Sequence, residues 1–587
     1  MEYMKSANAA KRLTGHRSGK TRVALSLTVL AGLYASGAQA QPAPAAAATA
    51  PAATSAAACD PYVKFSCLDD YLGTGFWTRL VRYYELEWGK DGAPADDKAP
   101  PGRRDNFPPQ AQPSPPMPFT EWPYGGGELL GATRTGSIDS PLMVAISDTG
   151  LGKWMNDVGF QVYGWVNVGG NISTDTVKPG GNWPAAYLYT PNTVTLDQAV
   201  VYLDRFPDTV QKEKIDWGLR LSAIYGENYR YTTEYGFYSN SFLVKNKVNG
   251  FDSPMFYGEV FFPGIGEEGL EIRAGRYIAI PDIEAQLAPN NYMYTHSMTY
   301  AFDNYTNEGL IGILGVNKNL FLTAGVEMGT DTAWKHWNET MPNPSPSYNG
   351  VANPYFPGAT MKVDPGAVPS FVGSIRYQTD DAKDDISLTV NGINSGQWGY
   401  NNQQWVGFTY YHTYDEHWHL SFEAYHEGEK NTPNVNYAYP AGPSTLPAAI
   451  NGWDTPFSFM VNGPNGAKCK STAVATCSAN LYAAVAYLNY SPDHLNNFSI
   501  RPEYFNDQQG QRTGQAGIFR NIAFGWQHWF SPQVEVRPEI NYMHFSANSA
   551  NGGNPYAFNG NPVAGPGGIA PNKSSAVILA GDIIWHF

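Results

Sequence analysis

Few residues in this chain have the types and spacing for catalysis or metal binding. His417 and His419 stand two apart with Glu423 four further on, so in a strand all three share one face. His412 falls on the opposite face by alternation with Val406, Phe408 and Tyr410. Histidines that do not converge cannot supply a zinc ligand set, so they read as wetted wall residues, with no metal and no cofactor expected. The cysteines form two pairs of one spacing, Cys59 with Cys67 and Cys469 with Cys477. No histidine lies near either pair at ligand spacing, so two local disulfides are expected rather than zinc. Outer-membrane phospholipases need Ser and His together on the lipid face, and proteases of that compartment need acidic residues with a His at the outer rim. Neither set is visible, nor is a phosphate-cradling glycine loop between a strand and a helix. No catalytic residue is assigned.

What does recur is charge at every second position. From Ile215, Trp217, Leu219, Leu221 and Ala223 face one way while Asp216, Arg220 and Ser222 face the other. From Gln533, Val534, Val536, Pro538 and Ile540 oppose Glu535, Arg537, Glu539 and Asn541. Alternation of this kind belongs to strands with one apolar and one polar face. Sixteen candidate strands begin near Gly159, Thr195, Ile215, Met255, Gly269, Tyr305, Asn319, Ser370, Asp384, Gln403, His417, Asn480, Asn496, Ala516, Gln533 and Ser575. Most run for about 8 to 14 residues, enough for a tilted strand to cross a bilayer.

The connections alternate short and long. Pro263-Gly264-Ile265-Gly266, Asn317-Lys318 and Ser531-Pro532 are short, whereas residues 171–194, 227–254, 279–304, 330–368, 429–479 and 547–574 form long loops. Short turns on one side and long loops on the other, with an even strand number, describe a transmembrane antiparallel β-barrel over residues 159–587. A β-sandwich or propeller gives no reason for every second connection to be short. Val577, Leu579, Gly581, Ile583, Trp585 and Phe587 make an alternating face ending on an aromatic, resembling the strand that barrel-assembly machinery recognises.

In hydrocarbon every backbone group must be paired, so the sheet closes and its apolar face meets lipid. The charged face then lines a lumen carrying Arg220, Arg273, Arg376, Arg501 and Arg537 among Glu271, Glu327, Glu423, Glu503, Glu535 and Glu539. Sixteen strands leave an aqueous bore. The third long loop contains Asp282 and Glu284. Folded inward, they would face Arg220, Arg273 and Arg501 and set a transverse field; a solvated outer loop is the other reading.

Composition agrees with this architecture. Of 587 residues, 15% are charged and 14% aromatic, including 38 Tyr, 28 Phe and 16 Trp, a profile unlike that of a soluble protein. Residues 1–40 read as a secretory signal, with Lys11, Arg12, Arg17, Lys20 and Arg22 before the apolar run Val23 to Tyr34, and cleavage expected near Ala40. Removing six basic residues and one acidic residue leaves 32 against 51, a net charge of −19 that disfavours nucleic acid. Residues 41–158 form an Ala/Pro-rich extension in which Phe76 to Trp88, and Ser140-Pro141 onward to Trp154, have helical spacing. These helices suit the periplasm or a partial plug.

The barrel portion resembles the OmpL-like β-barrel porins. The resemblance rests on Tyr163-Gly164-Trp165 leading to Asn171-Ile172-Ser173, on Arg273-Ala274-Gly275-Arg276-Tyr277 followed by Glu284, and on Arg-Pro-Glu at 501–503 and 537–539. It implies passive passage of small hydrophilic solutes and names no substrate. The expected surroundings are outer-membrane lipid and lipopolysaccharide, and a homotrimer is compatible with the pattern. Tyr163, Trp165, Tyr202 and Tyr257, if inward, could stack on sugar rings, and a barrel-scaffolded receptor or adhesin is a further alternative.

Overall fold

A computed structural model describes residues 69–87, 140–176, 181–342, 361–436, 466–548, 554–556 and 573–587, apart from the single positions 186, 189, 246, 281, 382, 400, 494 and 532. The leader, the spacers and the Cys59 and Cys67 pair lie outside these residues.

Sixteen strands form one closed antiparallel barrel: β1 (Gln161–Ser173), β2 (Val194–Arg205), β3 (Asp216–Gly226), β4 (Phe256–Phe262), β5 (Gly269–Ile278), β6 (Thr306–Asn317), β7 (Leu320–Glu327), β8 (Ser370–Gln378), β9 (Asp384–Ile393), β10 (Trp405–Thr413), β11 (Trp418–Pro433), β12 (Thr476–Asp493), β13 (Asn496–Asp507), β14 (Gly517–Ser531), β15 (Val534–Ala547) and β16 (Ser575–His586). A three-residue segment, Gly250–Asp252, adds to the outer end of β3. Each strand pairs with its neighbour in sequence, and β1 closes on β16 from Trp165↔His586 to Ser173↔Ile578. Beyond that register Phe587 pairs its backbone with Gly164, where a Cβ would lie 2.8 Å from the Phe587 ring. The same Cβ would lie 2.1 Å from the Val200 carbonyl oxygen, which is backbone and cannot give way, so only glycine fits there.

The barrel is inverted relative to a soluble protein. In β3, Asp216, Arg220 and Ser222 are buried while Trp217, Leu221 and Tyr225 are exposed. Ile375, Leu388 and Leu310 are likewise exposed, and the apolar band they continue meets hydrocarbon. Strand length varies around the ring, from 7 residues in β4 and 8 in β7 to 16 in β11 and 18 in β12.

Strand starts depart from the sequence expectation by two residues or more in three places, one being β10, which begins at Trp405 rather than Gln403. Gly159 belongs to a helix end, at φ 87° with its N–H on Met155 and Asn156 carbonyls, so β1 begins at Gln161. β12 begins at Thr476, four residues before Asn480, because Cys477 is already in the ladder and bonds to Cys469.

Among the described residues four short helices precede the barrel: α1 (Asp69–Leu72), α2 (Phe76–Glu87), α3 (Pro141–Ile146) and α4 (Gly150–Val158). The helix expected from Ser140 towards Trp154 is therefore two. Ser140 Oγ caps α3 by accepting from Met143 N, and Thr149 Oγ1 restarts the chain as α4 by accepting from Gly152 N. Arg79, 2% exposed, ties α2 to the others through Val144 O, Gly73 O and Asp69. Tyr84 Oη donates to His586 O and its ring meets the outward-facing Trp585 at 5.9 Å. Trp154 stacks on Phe160, which meets the outward-facing Trp217. These contacts lie at the end of the barrel that carries the short turns.

Candidate functional site

The third long connection, residues 279–305 between β5 and β6, lies inside the barrel: every side chain described in it is buried. Its fixings are mostly on the far wall, around eight strands from its origin. Glu423 of β11 accepts from Ile283 N at 3.0 Å, Glu503 of β13 from Thr299 N and Oγ1 at 2.6 and 2.8 Å, and Glu539 of β15 from Thr295 N at 3.0 Å. Cations from the same strands hold loop carbonyls: Arg501 donates to Thr295 O, and Arg537 to Ala288 O and Asn291 O. Arg512, in the 508–516 connection, donates to Phe302 O at 2.7 Å. The two lone pairs of each carbonyl and every exposed amide of an irregular segment need partners when buried, and charged wall groups supply them.

Inside the loop, Glu284 accepts from Ser297 N and from the Ser297 and Tyr487 hydroxyls, and its Oε1 lies 3.7 Å from Arg501. Burial pushes the Glu284 carboxyl above its usual range, with Arg501 opposing. Asn291 braces the loop by bonding Ala285 N, Ala285 O and Leu287 O. His296 is stacked 3.7 Å from Tyr187, and burial holds it well below the usual histidine range.

Three other arginines named from sequence pair with acids of the wall. Arg220 pairs with Asp204 at 3.4 Å, Arg273 with Glu259 at 3.1 Å and Glu271 at 2.9 Å, and Arg376 with Asp385 at 2.6 Å. The picture of Asp282 and Glu284 together facing Arg220, Arg273 and Arg501 is thus corrected: only Glu284 and Arg501 meet. The ladder register is the reason, since Asp204 lies directly opposite Arg220 and Glu259 directly opposite Arg273. Asp282 instead sits with Asp303 and Glu423, their carboxylate oxygens within 4.8 Å of one another. Burial first, then Asp303 and Glu423, hold the Asp282 carboxyl well above its usual range.

Several participants escaped the sequence reading. Asp204 and Glu259 were recoverable by aligning hairpins residue against residue. Asp303 and Arg512 carry no local signal, because loops bring them in. Arg276, noted only within its motif, pairs with Glu234 and Asp252 and so fastens the second long connection to β5. Tyr163, Trp165 and Tyr202 are inward but stack on one another, with centroids 5.0 and 5.6 Å apart, and Trp165 Nε1 donates to Gln198. His419 meets the Tyr292 hydroxyl at 3.1 Å, while His412 bonds Asp384, so the histidines stay apart.

The family model described as "Putative beta-barrel porin-2, OmpL-like" matches residues 159–587. No curated protein matches the chain. Solved structures similar to it include the outer membrane channel DcaP of Acinetobacter baumannii, at 9% identity over 73% of this chain and 97% of that one, TM-score 0.40. The anion-selective porin from Comamonas acidovorans matches at 9% identity over 73% and 99%, TM-score 0.38. OmpF of Salmonella typhi in complex with daunomycin matches at 10% over 74% and 99%, TM-score 0.37.

Proposed function

From a chain that belongs to the OmpL-like β-barrel porin family, and is an outer-membrane porin, we propose passive diffusion of small hydrophilic solutes or ions through a charge-lined lumen. The observation that carries this reading is the inserted third connection, which brings Glu284 to within 3.7 Å of Arg501 on the opposite wall. An acid on the loop and a base on the wall create a local field that sorts solutes by charge and dipole, and polar walls let them keep part of their hydration. The stacking of Tyr163, Trp165 and Tyr202 on each other leaves less ring surface for a sugar, which favours ions and small polar solutes. The helices α1 to α4 act on this reading as a periplasmic extension rather than a plug, supported by the contact of Tyr84 with the outward-facing Trp585.

Conductance of the refolded chain in a planar bilayer under a salt gradient tests the proposal. Discrete steps with a reversal potential that moves in Glu284→Gln support it. Silence from folded protein, or a reversal potential indifferent to Glu284, removes it.

A further inference from the structure

One acidic group inside the barrel makes no ion pair among the described residues, although the Arg512 charge reaches its Asp303. Asp282 and Asp303, near the two ends of the inserted connection, meet Glu423 of β11 with carboxylate oxygens within 4.8 Å. All three are buried, at 1%, 0% and 1% exposure. Glu284 and Glu539 in the same barrel have both carboxylate oxygens hydrogen-bonded; here, of six oxygens, Glu423 Oε2 and Asp303 Oδ1 accept, from Ile283 N and Asn304 N. Both oxygens of Asp282, Asp303 Oδ2 and Glu423 Oε1 accept none.

A second observation points the same way. Thr409 of β10 lies directly opposite Glu423 in the ladder, on the same inward face and 1% exposed, and its hydroxyl has no partner. Directly opposed side chains start only about 5 Å apart, so this hydroxyl stands beside the carboxylates. Unpaired buried acids are costly and become neutral by protonation or by binding a cation.

We propose that Asp282, Asp303 and Glu423, with Thr409 beside them, form a calcium site that staples both ends of the inserted connection to β11. Oxygens that surround Ca²⁺ at about 2.3–2.6 Å stand at most about 5 Å apart, the spread seen here, and hard carboxylate and hydroxyl oxygens suit it. Sequence spacing gave no hint of it, because Asp282 and Asp303 are brought together only when the connection folds inward. The proposal does not depend on conduction.

The full chain, refolded and stripped with chelator, is dialysed against ⁴⁵Ca²⁺ and compared with Asp282→Asn/Glu423→Gln, both checked for folding by circular dichroism. The wild type should hold one more equivalent than the variant. Tb³⁺, a calcium mimic, should luminesce on excitation of Trp405, which lies against Asp303, and Ca²⁺ should quench it by displacement. Equal calcium in the two folded proteins overturns the site and leaves shared protons between Asp282 and Asp303 as the neutralising device. If the double variant does not fold, Trp405→Phe replaces it: loss of Tb³⁺ emission supports the site, and undiminished emission places the ion elsewhere and overturns it.

Discussion

The near and far walls of this barrel carry similar charges and use them differently. On β2 to β5 and β8 to β9, acids and bases neutralise each other across the ladder: Arg220 with Asp204, Arg273 with Glu259 and Glu271, Arg376 with Asp385. On β13 and β15, Arg501, Glu503, Arg537 and Glu539 all bond the backbone of a connection that starts across the bore, Arg537 while also pairing with Asp582 and Glu503 while also accepting from Asn521. Charge type says nothing about which role a residue plays. An acid opposite in the register does not decide it either, since Arg537 has Asp582 directly opposite and still holds loop carbonyls; what separates the walls is whether the inserted connection runs within reach of the side chain.

The largest test of this contrast is Glu503→Ala combined with Glu539→Ala. Each change removes charge-assisted hydrogen bonds to loop amides worth about 1.5–3 kcal/mol, so the pair should loosen the loop by ~3 kcal/mol or more. Amide exchange at Thr295 and Thr299 should then accelerate by about 100-fold, with higher conductance; unchanged exchange would mean that the far wall does not hold the loop. Next comes Arg273→Ala on the near wall, which strands Glu259 and Glu271 and should destabilise the barrel by roughly 3 kcal/mol while leaving loop exchange alone. Denaturant titration with parallel exchange measures both, and faster exchange at Thr295 would erase the distinction between walls.

Arg501→Gln should have an intermediate effect, moving the reversal potential towards cations because Glu284 loses the base facing it. A reversal potential equal to the wild type would assign selectivity elsewhere. The smallest effect concerns pH in chelated protein. Burial raises both the Asp282 and Asp303 carboxyls, and Asp303 raises Asp282 further, so the docked loop binds protons more readily than a released one. That stabilisation is present in acid and is lost as pH rises through the folded values. Exchange at Ile283, corrected for the intrinsic rate, should be faster at about pH 8.5 than at about pH 5.5. The opposite order would show that protonation does not support the docked loop.

Much of the fold was legible because a membrane wall imposes a strict period of two. The strand beginning near Ser370 and that near Asp384 start at those residues, and alternation in β15 puts Glu535, Arg537 and Glu539 inside as read. Boundaries failed where another device competed with alternation, as at Gly159, which ends a helix, and at Thr149, which starts one. The site was legible only in part. Asp282 and Glu284 stood out as acids in the third connection, but the wall residues that meet them are 140 and more positions away and depend on a loop crossing the bore. No local pattern encodes that crossing. Pairings such as Arg273 with Glu259 were encoded, but in the register rather than in either strand alone.

The uneven strand lengths have one further consequence. At about 3.3 Å per residue and a tilt near 45°, β12 with its 18 residues rises roughly 40 Å, whereas β7 with 8 rises roughly 20 Å. The hydrogen-bonded wall is therefore about twice as tall along β12 as along β7, and the long connections on the side of β4 and β7 must supply whatever height the ladder lacks there.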